Sequence, residues 1–88
     1  MSAEHLLDVS GLEPPEPLER ALEAAAALPA GGYVRMQHRR EPVLLYPLLA
    51  ERGFRWSTRA GAATAFEIFI WRGADAAAEC AVRAAGVR

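Results

Sequence analysis

Asp8-Val9-Ser10-Gly11-Leu12-Glu13-Pro14-Pro15-Glu16-Pro17 decides how this chain folds. Before it, His5 to Val9 is a short, mostly apolar run that reads as a buried strand. Ser10 and Gly11 close the strand, and the chain turns on Gly11. Prolines then launch a helix, since the first helical turn needs no N–H from them. Such a corner leaves backbone N–H groups unpaired at the helix start, which makes it a natural place for a site. It carries no thiol, no hydroxyl beyond Ser10 and no metal-ligand cluster. The residues therefore indicate a location more than a reaction.

Downstream, the spacing predicts a helix from about Pro15 to Leu28. Leu18, Ala21, Leu22, Ala25 and Leu28 form one apolar face, and Glu16, Glu19, Arg20 and Glu23 a solvated one. Pro29-Ala30-Gly31-Gly32 stops it. Tyr33 to His38 alternates as a second strand, with Val34 and Met36 facing one way and Arg35 and Gln37 the other. After the polar turn Arg39-Arg40-Glu41-Pro42, a second helix is expected over about Leu44 to Arg52, with Pro47 confined to its first turn and Gly53 past its end. Phe54 to Arg59 reads as a third strand and Thr64 to Arg72 as a fourth. In the fourth, Phe66, Ile68 and Ile70 line one face, and Phe69 and Trp71, with Glu67 among them, line the other. Both faces are apolar, so both want cover. An alanine-rich helix over about 75–85, with Asp75 as N-cap, could supply that cover. The order β-α-β-α-β-β plus a C-terminal helix gives an α+β fold: a two-layer α/β sandwich on a mixed four-stranded sheet, with parallel first strands and a final hairpin.

Eighty-eight residues make one small domain, 1–88, with a core over about 5–72. The net charge is −1, so no overall field points to nucleic acid or an anionic membrane. All 10 basic residues are arginine, which favours bidentate anion contacts where they cluster. Cys80 is the only cysteine, so no internal disulfide forms, and its alanine-rich surroundings suggest a small packing residue. There is no basic-then-apolar leader and no apolar run near the ~20 residues that span a bilayer, so the expected location is cytoplasmic.

The strand and helix order, with Leu7-Asp8-x-x-Gly11-Leu12-x-x-Pro15-x-Pro17, resembles the TusA/SirA-like family. Members with a cysteine just before Pro-x-Pro carry sulfur as a persulfide, for tRNA thiolation, molybdenum-cofactor assembly or sulfur oxidation. Here that position is Pro14, so the resemblance does not extend to sulfur carriage. Gly11 to Leu18, His38-x-Arg40-Glu41-Pro42, Leu45-Tyr46-Pro47-Leu48-Leu49 and Arg52-Gly53-Phe54 resemble more closely the branch called domain of unknown function 2249. This likeness covers roughly residues 5–72 and implies no particular reaction.

Because the first two strands are parallel, Gly11–Pro15 and His38–Pro42 should leave the sheet at one edge, where both helices begin. The candidate ligand-binding residues are His38, Arg39, Arg40, Gly11, Glu13 and Pro14. No catalytic residue, metal or cofactor is assigned: His5 and His38 lie at opposite ends of parallel strands, too far apart to share an ion. The expected role is a non-catalytic module binding a protein partner or a small anion. The alternative is an accessory protein or enzyme of sulfur, molybdenum-cofactor or nitrogen-oxide metabolism using His38 and Arg40. Phe69 and Trp71, joined by Trp56 if the hairpin register allows, would either lie under the last helix, a thin lid for such rings, or be shared in a weak homodimer, which is the favoured reading.

Overall fold

The computed structural model describes residues 3–86. The elements are β1 (Glu4–Asp8), α1 (Glu16–Ala26), β2 (Tyr33–His38), α2 (Leu45–Glu51), β3 (Phe54–Ala60), β4 (Phe66–Arg72) and α3 (Ala76–Ala84). The sheet order is β1-β2-β4-β3. β1 and β2 are parallel, and β4 runs antiparallel to both of its neighbours. The α+β architecture and its mixed four-stranded sheet are those the sequence predicts.

Alternation of side chains across each strand divides the structure into layers. Val34 and Met36 of β2, with Ile68 and Ile70 of β4, face α1 and α2 and are fully buried with Ala21 and Leu49. Each large aliphatic side chain buried there contributes roughly 1.5–3 kcal/mol. On the opposite face, α3 packs Ala78 and Val82 onto Tyr33, Phe69 and Trp71. Of the two covers open to Phe69 and Trp71, the last helix is thus in place over both rings. Asp75 fixes its start: Oδ1 accepts from the Ala78 N–H at 3.0 Å and Oδ2 from the Gly31 N–H at 2.7 Å. Arg72 donates to the carbonyls of Ala26 and Leu28, supplying the positive charge that the last turn of α1 lacks. Gly53 sits at φ +79°, which suits glycine alone after α2. At Gly61 a Cβ would run into the Thr64 carbonyl, so the β3–β4 turn also requires glycine.

Three expectations are corrected. β1 is an edge strand rather than a buried one; Leu6 is 55% exposed. α1 covers one of its faces, while α3 packs on β4 and β2. Trp56 does not join Phe69 and Trp71. The hairpin register pairs Trp56 with Ile70, which turns its ring to the α2 side, where it stacks on Tyr46 with centroids 5.2 Å apart. Cys80 is exposed on α3 instead of packing inward.

Beyond the reach of Phe69, the α3 face of the sheet is polar and centred on Glu67, which is 1% exposed. Its Oε2 accepts from Arg35 and, at 3.5 Å, from Gln37 of β2; its Oε1 accepts from Arg59 Nε of β3 at 3.1 Å. Arg59 also lies over the Phe69 ring, 4.7 Å from its centroid. Burial pushes the Glu67 carboxyl up, but the donors from Arg35, Arg59 and Gln37 outweigh it and hold the group below its ordinary 4.5. Folding thus favours ionised Glu67. Its contribution is complete above the unfolded value and fades as pH falls through the folded one. Glu67→Gln should cost about 3 kcal/mol at neutral pH, the low end for a broken buried pair because both arginines reach solvent. Urea unfolding of the two proteins should show this gap narrowing as pH falls below 4.5; a gap independent of pH would contradict the role given to Glu67.

Candidate functional site

The parallel pairing of β1 and β2 brings their carboxyl ends to one edge of the sheet, and the Val9 N–H extends the pairing to the Gln37 carbonyl at 3.0 Å. Asp8 turns the chain there. Its Oδ1 accepts from the Ser10 hydroxyl at 2.6 Å and the Ser10 N–H at 3.0 Å, and these bonds hold the carboxyl below its ordinary 3.8. Gly11 lies in this turn, but its φ is not in the left-handed region and a Cβ there would meet nothing. The geometry does not depend on it.

The helix starts differ from the donor-rich ends expected of them. In α1, Pro15 and Pro17 have no N–H. The Glu16 N–H goes to the Glu13 carbonyl at 3.0 Å and the Glu19 N–H to the Pro15 carbonyl at 3.2 Å. In α2, Leu45 and Tyr46 donate to the carbonyls of Pro42 and Val43, and Pro47 has no N–H. Glu16 and Glu19 add negative charge to the first turn of α1. These bonds and the prolines reduce the number of helix-start donors open to a bare inorganic anion.

What lies between the two corners is an apolar groove of about 320 Å³. Pro14, Pro15, Pro17 and Leu18 form one wall, and Val43, Leu44 and Leu45 the other. Leu44 is 80% exposed and Val43 60% exposed, so the groove is continuous with an apolar surface patch. His38 and Arg40 bring polarity to it.

His38, at the end of β2, is buried. Its Nδ1 accepts the Arg39 N–H at 2.9 Å, which assigns the proton of the neutral ring to Nε2. Burial, then the charges of Arg39 and Arg40, push its pKa below the ordinary 6.5. The ring is therefore neutral near pH 7, with Nδ1 engaged by the Arg39 N–H and the Nε2–H as its donor. Arg39 is not free: its Nη2 lies 3.1 Å from Glu13 Oε1, an exposed pair that ties the two corner loops together. Arg40 has no ion pair among the described residues and stands at the groove.

Glu41 is more than a solvated turn residue. Its Oε2 accepts from the Tyr46 hydroxyl at 3.1 Å. Since that spends the one Tyr46 proton, the Thr58 hydroxyl is the donor in the 2.6 Å contact between them. With the Trp56 stack, this chain anchors the loop of Arg40 to β3.

Of the six candidates, the structure brings His38, Arg40 and Pro14 together in the groove and pairs Arg39 with Glu13 beside it. Gly11 is not part of its lining. His5 is exposed at the start of β1, and no three His, Cys, Asp or Glu residues converge on a metal position among the described residues. No described helix is long and apolar enough to cross a membrane. Sequence reasoning missed Val43 and Leu44. Their signal was the run Val43-Leu44-Leu45, of which only Leu45 meets the core.

A family model for uncharacterised conserved proteins, DUF2249, matches residues 6–72. The chain belongs to this family. The DUF2249 match runs from within β1 through β4, includes the whole groove, and ends before α3. A crystal structure of a SirA-like protein from Desulfitobacterium hafniense is similar, with a TM-score of 0.63 and 22% identity over 74% of this chain and 92% of that one. At that identity the likeness concerns the fold. No curated protein matches this DUF2249 chain.

The histidine gives a direct check on the site. The folded ring titrates below the unfolded one, so its contribution to stability is complete above about pH 6.5 and is lost as pH falls through the folded midpoint. An NMR titration of the His38 ring should give a midpoint below 6.5, and Arg40→Ala should raise it by removing a like charge. A midpoint at or above 6.5, unmoved by the substitution, would contradict the burial and neighbours assigned to His38.

Proposed function

We propose that this DUF2249 domain is a non-catalytic docking module whose corner groove holds an apolar segment of a partner protein with an acidic residue beside it. The carrying observation is the exposure of Val43 and Leu44 next to the proline wall, with Arg40, which has no ion pair among the described residues, beside them. Large apolar side chains held out in water beside a groove favour a protein surface as occupant. The reduced set of helix-start donors, with Glu16 and Glu19 in the first turn of α1, disfavours phosphate or sulfate. Arg40 supplies one charge-assisted contact to a carboxylate, and the His38 Nε2–H a second, neutral donor.

Sulfur carriage is disfavoured by Pro14, which occupies the place of the carrier cysteine in the sulfur-carrying relatives. Cys80, the only thiol, lies on α3, on the opposite face of the sheet from α1 and α2. An enzyme built on His38 would need a free ring acceptor, and Nδ1 is committed to the Arg39 N–H.

The test places the photo-crosslinking residue p-benzoylphenylalanine at Val43 in native cells. The expected outcome is a dominant protein adduct whose crosslinked segment has apolar residues next to Asp or Glu. Arg40→Ala should reduce it about ten- to a hundredfold, the loss of one contact worth ~1.5–3 kcal/mol. Leu44→Asp should abolish it. Both side chains are exposed, so unfolding midpoints should barely move. No adduct, or one indifferent to Arg40 and Leu44, would overturn the reading.

A further inference from the structure

β3 is an edge strand, and the hydrogen bonds at the two ends of its hairpin show which backbone groups face outward. At the turn, the Gly61 N–H donates to the Ala65 carbonyl at 3.2 Å; at the other end, the Gly73 N–H donates to the Gly53 carbonyl at 2.9 Å. Both pairs fit the ladder that matches Ser57 with Phe69. In an antiparallel ladder hydrogen-bonded pairs alternate, so Arg55, Ser57 and Arg59 bond to β4. The N–H and C=O groups of Phe54, Trp56, Thr58 and Ala60 point to the open edge.

A second groove, of about 690 Å³, runs between this strand and α3. Arg55, Ser57 and Trp71 line its sheet side, and Glu79, Val82 and Arg83 its helix side. Trp56 also borders it. Because the Trp56 ring stacks on Tyr46 on the other face, the groove meets Trp56 at the strand edge. The Trp71 indole Nε1–H is buried there without an acceptor. Arg55 and Arg83 share Glu79 at 3.4 and 3.6 Å, so two exposed cations answer one carboxylate and the groove keeps a positive excess.

We propose that β3 and α3 together receive an extended acidic segment of a partner protein as an added strand. Main-chain bonds to Trp56 and Thr58 would supply the affinity, and alternate side chains entering the groove between Arg55 and Arg83 the selectivity. A second copy of this chain fits less well. Pairing two β3 strands along their full length around Ser57 sets Arg55 of one copy opposite Arg59 of the other on the same face, and like charges so placed are destabilising. This groove and the corner groove share no lining residue and belong to the α3 and the α1/α2 sides of the sheet, so they are separate sites.

The test uses the peptide Ac-Glu-Thr-Val-Thr-Glu-NH2, whose alternate residues set carboxylates against the arginines, and the same peptide with Lys for Glu. Titration of the isotope-labelled protein should shift the Trp56 and Thr58 amides and the Trp71 indole signal, and slow amide exchange at Trp56 and Thr58. The Lys peptide should bind at least ~10-fold more weakly, and so should Arg83→Glu with the acidic peptide. Thr58→Pro removes an edge N–H and should abolish binding, while Thr58→Val, which loses only the hydroxyl bonded to Tyr46, should retain it. If Thr58→Pro does not fold, exchange in the unaltered protein decides. Unprotected Trp56 and Thr58 amides, or equal binding of both peptides, would overturn the proposal. Protection of these amides that grows with protein concentration alone would overturn it in favour of a second copy.

Discussion

The buried carboxylate of Glu67 is the interaction on which the sheet depends. Glu67 lies on β4, the strand that separates β2 from β3, and it takes donors from both neighbours: Arg35 and Gln37 on one side, Arg59 on the other. A carboxylate this deep is costly unless every partner is in place. Arg35 also approaches Glu4 of β1 at 3.6 Å, and Tyr33 donates to the same Glu4 at 3.0 Å. One polar layer therefore touches all four strands. A one-residue slip of β4 would carry Glu67 into the aliphatic layer under α1 and α2 and Ile68 into the charged one. The network opposes such a slip, and the corner loops at the ends of β1 and β2 inherit that fixed register.

The α+β order was legible because its signals are local: alternation in Tyr33–His38 and Phe66–Trp71, helical spacing from Leu18 to Ala25, and Asp75 ahead of an alanine run. What was misread depends on distant partners. The apolar content of Leu6 and Leu7 suggested burial, but a strand's place in the sheet is set by which edges remain open. The face taken by Trp56 follows from the hairpin register, and that comes from the Gly61 turn, not from the alternation of β3. Around Cys80 the alanines carry no helical period, so the outward side of α3 could not be told from the inward.

At the corner, the sequence showed that His38, Arg40 and Pro14 would meet, but not what kind of surface they would share. The prolines looked like helix starters. Their second effect appears only in three dimensions: Pro15, Pro17 and Pro47 remove donors from the helix starts, and nearby carbonyls take those of Glu16, Leu45 and Tyr46. An edge that topology would make an anion site becomes an apolar groove lined by Arg40, which has no ion pair among the described residues. Glu41 and Tyr46 hold that arginine's loop against β3, which explains the presence of both in the motif without giving either a chemical role.

Chemical-shift mapping with two small probes, hexanoate and sulfate, tests this conversion most directly. Hexanoate, an apolar chain with one carboxylate, should shift the amides of Leu18, His38 and Val43 to Leu45 at millimolar concentration, and Arg40→Ala should weaken the effect. Sulfate should leave the amides of Glu16, Leu45 and Tyr46 where they are. Sulfate shifting those helix-start amides while hexanoate shifts none would contradict an apolar docking groove and restore an anion site at the helix ends.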